Sequence, residues 1–151
     1  SGDQYVIDLG EPNNNWIEIT PTGIFRTGND WGPTLDTAQT SLNEWMMLTR
    51  SYDGSVMRAY LNGTPVGSLI NPESIDPTKI TIGSAGVDVP GTNFLNGSID
   101  DVYIYNRALS PAEVQTLYSA VPEPNTALLL GVGLAGLGMK RRRQRTRSGC
   151  I

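Results

Sequence analysis

Residues 44–63 read EWMMLTRSYDGSVMRAYLNG. Glu44 to Ser51 is a strongly apolar run of strand type. Tyr52-Asp53-Gly54 is a turn, and Val56 to Leu61 returns as its partner. Asn62-Gly63 follows as a two-residue hairpin signal, because both central positions of a type I′ turn need φ > 0. Pro65 to Ile70 then supplies a third segment. Two tight turns between three short apolar runs specify an antiparallel meander and pin its register.

The same grammar extends both ways. Tyr5 to Leu9 and Trp16 to Ile19 alternate as strands do, Lys79 to Ile82 is closed by Gly83, and Phe94 to Tyr105 is the last strand candidate, with a kink at Gly97. Turn signals recur roughly every 8–12 residues, the spacing of a sandwich or barrel. The chain has 17 Gly and 10 Pro, and they fall between the apolar runs rather than inside them. The fold class is therefore all-β, an antiparallel β-sandwich over residues 1–120. One helix is signalled. Ser110-Pro111-Ala112-Glu113 places Ser at the N-cap, Pro at the first helical position and Glu at the third, with Val114, Leu117 and Tyr118 at helical spacing. Its expected length is about two turns.

Charge divides the chain. Residues 1–120 carry five basic residues against fourteen acidic ones, and residues 121–151 carry six basic residues against Glu123 alone. An acidic domain argues against a nucleic-acid partner, since phosphate binding needs clustered Lys and Arg. There is no histidine, and Cys150 is the single cysteine. That removes Ser-His-Asp and Cys-His catalysis, the commonest zinc sites and any disulfide framework.

The last thirty residues are built differently. Pro122-Glu123-Pro124 precedes an apolar, Gly-rich run from Ala127 to Met139, and a basic stop follows over 140–147, led by Lys140, Arg141, Arg142 and Arg143. Thirteen apolar residues make a helix of about 20 Å, short of the ~30 Å hydrocarbon core. Snorkelling arginines close part of that gap. The run reads as a short, transient transmembrane helix, with the basic end on the cytoplasmic side.

Two resemblances sharpen these readings. Trp45 to Gly54, Ala59 to Gly63, Ile80 to Gly83 and above all Phe94 to Ser110 resemble a laminin-G-like jelly roll of the concanavalin A-like lectin family. The resemblance implies a binding module for polysaccharide or, as the alternative, a structural or adhesive surface protein that binds other proteins. Family domains have further strands before the point that corresponds to residue 1, so an amino-terminal part is expected upstream, with an edge of one sheet left open. The three-part tail, residues 121–146, resembles a PEP-CTERM sorting signal, the substrate of an exosortase-type membrane protease. It implies export across the inner membrane of a Gram-negative bacterium, passing retention there by the tail, and then a place at the cell surface or in the extracellular matrix. A signal peptide is expected at the other end.

The site candidates carry two readings each. Asp100, next to Asp101 in the closing strand and expected to face inward, is a Ca²⁺ ligand as in some relatives, or a buried carboxylate bonded to backbone N–H groups. Calcium needs six to eight oxygens, so other donors would have to converge. Trp16 and Trp31 lie among Asn, Asp and Gly. They are sugar-stacking plates or ordinary core and rim residues. Trp45 is expected in the core. Asn62-Gly63-Thr64 and Asn96-Gly97-Ser98 fit the glycosylation sequon and are read as turns. No catalytic residue is expected. Glycosidases need paired carboxylates, whereas Asp100 and Asp101 are strand neighbours and would point to opposite faces. The glucan-cleaving relatives' Glu-x-Asp-x-x-Glu pattern is missing from this sequence.

Overall fold

The computed structural model describes residues 2–10, 15–29, 32–41, 43–70, 79–85 and 93–120. Ser1–Tyr118 forms one compact unit and Ser119–Ile151 another. Trp31, the Pro122-Glu123-Pro124 motif, the apolar run 127–139 and the basic stop from Lys140 lie outside the described residues. Among the described residues no helix is long and apolar enough to cross a membrane.

The first unit is a two-sheet antiparallel sandwich. Its elements are β1 (Gln4–Leu9), β2 (Asn15–Ile19), β3 (Ile24–Asn29), β4 (Leu35–Gln39), β5 (Leu48–Tyr52), β6 (Val56–Leu61), β7 (Thr64–Ile70), β8 (Thr81–Ile82) and α1 (Pro111–Ala120). The larger sheet runs β4-β3-β2-β1-β8, and the smaller is the meander β5-β6-β7. Ile17 and Phe25 from the first sheet meet Ala59 from the second, with Leu35, Leu48, Leu61 and Val66 packed around them. Strand alternation explains the sharing: Ala59 faces in, and its neighbours Arg58 and Tyr60 face out.

The turns work as the sequence requires. Asn62 and Gly63 have φ of 51° and 76°. Asn62 also joins β5 to the hairpin, accepting from the Met47 N–H on its Oδ1 at 2.8 Å and donating its own N–H to the Met47 carbonyl at 2.9 Å. A side chain at Gly63 would press on Tyr118 and Gln115 of α1, so glycine serves both the turn and the helix above it. At the other turn, Asp53 Oδ1 accepts the N–H groups of Ser55 and Val56 at 3.0 and 2.8 Å, the Asx-turn geometry.

The helix covers the outer face of the smaller sheet. Ser110 Oγ accepts the Glu113 N–H, and Glu113 Oε2 accepts the Ser110 N–H at 2.8 Å. This is the reciprocal capping box. Arg107 and the Ser110 groups hold the Glu113 carboxyl down at about 2. Val114 and Leu109 pack on Tyr60. Ser51 clamps the approach to the helix: its hydroxyl donates to the Leu109 carbonyl at 2.9 Å and accepts the Leu109 N–H at 3.1 Å. Ser51→Ala strands both backbone groups in a buried place and is expected to cost about 1–3 kcal/mol. Hydrogen exchange should show the loss first at the α1 amides. Unchanged protection there would remove the clamp role.

Four expectations are corrected. The strand expected from Glu44 starts only at Leu48, and Trp45 is 62% exposed rather than in the core. The run Phe94–Tyr105 forms no strand. Its start is tied to the larger sheet by the Leu95 N–H to the Gly83 carbonyl (2.9 Å) and the Asn96 N–H to Gln4 Oε1 (2.8 Å). Beyond that, Asp101 takes φ of 50°, which breaks an extended run. A strand also needs a neighbour for its N–H and C=O groups, and none pairs with 98–105 among the described residues. Its apolar side chains are consequently open to solvent, Tyr103 at 66%. Asp100 lies in this exposed segment and does not face inward.

Candidate functional site

The outer face of the larger sheet carries a row of charged and aromatic side chains with defined partners. Register puts Tyr5 opposite Glu18, Asp8 opposite Trp16, Glu18 opposite Arg26, and Arg26 opposite Asp36. These residues alternate with Ile17 and Phe25, which fill the core. The Tyr5 and Trp16 rings meet at 6.0 Å between centroids, tilted by 55°. Beside them an ionic ladder crosses three strands: Arg26 Nη1 reaches Glu18 Oε1 at 3.2 Å, and Arg26 also binds Asp36 through two bonds.

Electrostatics differs along the ladder. Glu18 is 2% exposed. Burial, reinforced by the charge of Asp3, pushes its carboxyl up to about 7 against the pull of Arg26. Asp36 moves the other way, because the Arg26 guanidinium bonds it directly. The same bond holds Arg26 firmly protonated. Arg26 stands between the two carboxyls, so they do not face a common open space.

Trp16 is 6% exposed, so its ring is a packing element beside Tyr5 rather than an open plate. Asn15 and Asn29 sit opposite one another on the inner face. Arg50 crosses from β5 to meet them, donating to Asn15 Oδ1 at 2.5 Å and to the Gly28 carbonyl at 3.3 Å. Burial lowers Arg50 to about 10. The Asn29 amide and Arg50 Nε are buried without hydrogen-bond partners among the described residues. Among the described residues this end of the sandwich is thus polar inside, with the Arg50 guanidinium bonded to neutral oxygens.

Asp100 lies beside Asp101 in the exposed closing segment. Its Oδ1 accepts the Asp101 N–H at 2.9 Å, and no group of three or more Asp, Glu, His or Cys side chains converges among the described residues. Two adjacent carboxylates fall short of six to eight oxygens. Sequence reading missed Glu18, Arg26, Asp36 and Arg50. The available signal was a single charge in each of three successive short segments, and, for Arg50, one cation inside an apolar run.

Two sheets sharing one core, the Tyr-Asp-Gly and Asn-Gly turns and a capped closing helix now meet a family comparison. The profile described as the concanavalin A-like lectin/glucanases superfamily matches residues 1–115. The chain belongs to this superfamily. The PEP-CTERM protein-sorting motif matches residues 120–143. It implies export and membrane-associated sorting by an exosortase-type system. No curated protein matches the chain. Among solved structures, it is similar to residues 221–444 of an S-layer domain-containing protein from Clostridium thermocellum ATCC 27405, at 22% identity and a TM-score of 0.44. That alignment covers 78% of this chain and 63% of the other. Within the concanavalin A-like superfamily both binding modules and glucanases occur, so the fold alone leaves the ligand open.

Proposed function

We propose that the chain is a non-catalytic cell-surface or matrix module whose sandwich binds polysaccharide, retained at the inner membrane by its tail until an exosortase-type protease processes it near Pro122-Glu123-Pro124. The observation that carries this reading is the pairing, on one chain, of a lectin-type sandwich over 1–115 with a sorting motif over 120–143. The state of the carboxyls favours binding over hydrolysis. Glycoside cleavage uses two carboxyls flanking an open sugar site, whereas Glu18 is buried and separated from Asp36 by Arg26.

A glycan array probed with the 151-residue chain, with and without Ca²⁺, tests the reading. Retention of at least one polysaccharide class is expected, and a blank array in both conditions would sink it. Calcium dependence would support a metal role for Asp100. A second reading, adhesion to other surface proteins, draws on the open apolar side chains of Trp45, Phe94 and Tyr103. It predicts protein partners from cell envelopes that survive competition by free sugars.

A further inference from the structure

Three places in the sandwich put a side-chain carbonyl directly before a glycine nitrogen: Asp53-Gly54, Asn62-Gly63 and Asn96-Gly97. Glycine has no side chain to keep its nitrogen away from that carbonyl. The fold treats the three pairs differently. Asn62 is half-buried, its Oδ1 accepts the Met47 N–H at 2.8 Å, and its own N–H is bonded to the Met47 carbonyl at 2.9 Å. Gly63 is buried against Tyr118 and Gln115 of α1. Asp53 is exposed but engaged: its carboxylate accepts from Arg58 and from the N–H groups of Ser55 and Val56. Arg58 first, and then those N–H groups, hold it ionised, down at about 2, and an ionised carboxylate resists attack by an amide nitrogen.

Asn96-Gly97 has none of these restraints. Both residues are exposed and form a bend outside any strand. The main chain before them is anchored, through the Leu95 N–H to the Gly83 carbonyl and the Asn96 N–H to Gln4 Oε1. Beyond that anchor, neither the Asn96 side-chain amide nor the Gly97 N–H makes a hydrogen bond among the described residues. A Cβ placed on Gly97 would meet only Leu95, at 3.8 Å. The Gly97 nitrogen is thus open to the amide beside it.

We propose that Asn96 is a site of covalent self-modification, deamidated through a succinimide ring. The Gly97 nitrogen attacks Asn96 Cγ. A bond forms between them, the Cγ–Nδ2 bond breaks, and Nδ2 leaves as ammonia with the proton that Gly97 gives up. Water then opens the ring. Breaking the bond from the ring nitrogen to Cγ leaves an ordinary aspartate. Breaking its bond to the Asn96 main-chain carbonyl carbon leaves an isoaspartate, which lengthens the main chain by a methylene. Neither step oxidises or reduces any atom. Both products add a carboxylate to the segment that already holds Asp100 and Asp101, and the isoaspartate shifts the chain just after its anchor on Gln4. The inference goes beyond the polysaccharide-binding reading and stands without it.

Ageing the 151-residue chain in mildly alkaline buffer tests it, read by peptide mass mapping with fragmentation that separates aspartate from isoaspartate. Both products are expected at position 96, with Asn62 still an amide and Asp53 still an ordinary aspartate. Asn62 reacts only once its two hydrogen bonds have opened, so it should be about tenfold slower or more. In urea that protection is gone, and Asn62 should react at a rate close to that of Asn96. Gly97→Ala fits the fold, since the added carbon makes only an ordinary contact with Leu95. It should slow the reaction at Asn96 several-fold by shielding the nitrogen. An Asn96 amide that persists in the folded chain but is lost in urea would overturn the assignment, as would equal rates at Asn62 and Asn96 in the folded chain. A rate unchanged by Gly97→Ala would overturn the ring route.

Discussion

Phe25→Ala is expected to remove about 3–5 kcal/mol of stability, a large share of what a domain this size possesses. Phe25 is fully buried on the inner face of β3, in the cluster where Ile17 of the larger sheet meets Ala59 of the smaller. Phe25 is the largest of the three buried residues in that cluster among the described residues, so the space left by the ring lies where the two sheets meet. The neighbouring Ala59 has no side chain long enough to fill it. Urea unfolding should show a lower midpoint with an unchanged slope. Phe25→Leu should lose less, because much of the volume is kept. Val102→Ala is the matched control. Val102 is exposed, so its loss should stay within about 0.5 kcal/mol. A cost at Val102 approaching that at Phe25 would mean that the closing segment is a core strand after all.

That control marks where sequence and structure part. The meander was legible because its register is written locally: Asn62-Gly63 and Asp53-Gly54 dictate their turns whatever lies around them. The helix was legible for the same reason, since the Ser110–Glu113 box is complete within four residues. β3 and β4 were not. The inward positions of β3 include Thr27 and Asn29, which hide its alternation of apolar and polar residues. Thr27 is accommodated because its hydroxyl donates to the Trp16 carbonyl at 2.7 Å, a contact eleven residues away. The run 94–105 failed in the opposite sense. It has strand composition, but pairing is supplied by a neighbour and not by the segment itself.

The polar sites were hidden by the same distance. Asn15 and Arg50 are 35 residues apart in sequence, and each alone looks like a turn residue and a stray cation. Trp16 was legible as an aromatic next to amides, yet alternation places Trp16 and Asn15 on opposite faces of β2. The Asn15 amide went inward to Arg50, and the ring went outward to Tyr5. Composition identified the residues, and only the pleat decided their company.

The pH dependence of stability isolates Glu18. Burial raises its carboxyl from an ordinary 4.5 to about 7 in the folded chain. The folded state therefore holds a proton that the unfolded chain has released. Stability from this group is fully present below pH 4.5 and is lost as pH rises through 7. At 1.36 kcal/mol for each pH unit between the two values, the loss from pH 5 to pH 8 is roughly 2–3 kcal/mol. Asp53 and Glu113, both lowered to about 2, act only in acid and stay constant across this window. The chain has no histidine to confuse it. Glu18→Gln keeps the shape and removes the titration, so its stability should be nearly flat from pH 5 to pH 8 while the parent's falls. The variant also gives up the ion pair to Arg26, which keeps Asp36 as its partner. The parent makes that ion pair only where Glu18 is ionised, so its effect is already contained in the value of about 7. Urea midpoints of both chains at pH 5, 6, 7 and 8 decide the matter, and two parallel curves would mean that Glu18 is ionised and adequately paired at every pH tested.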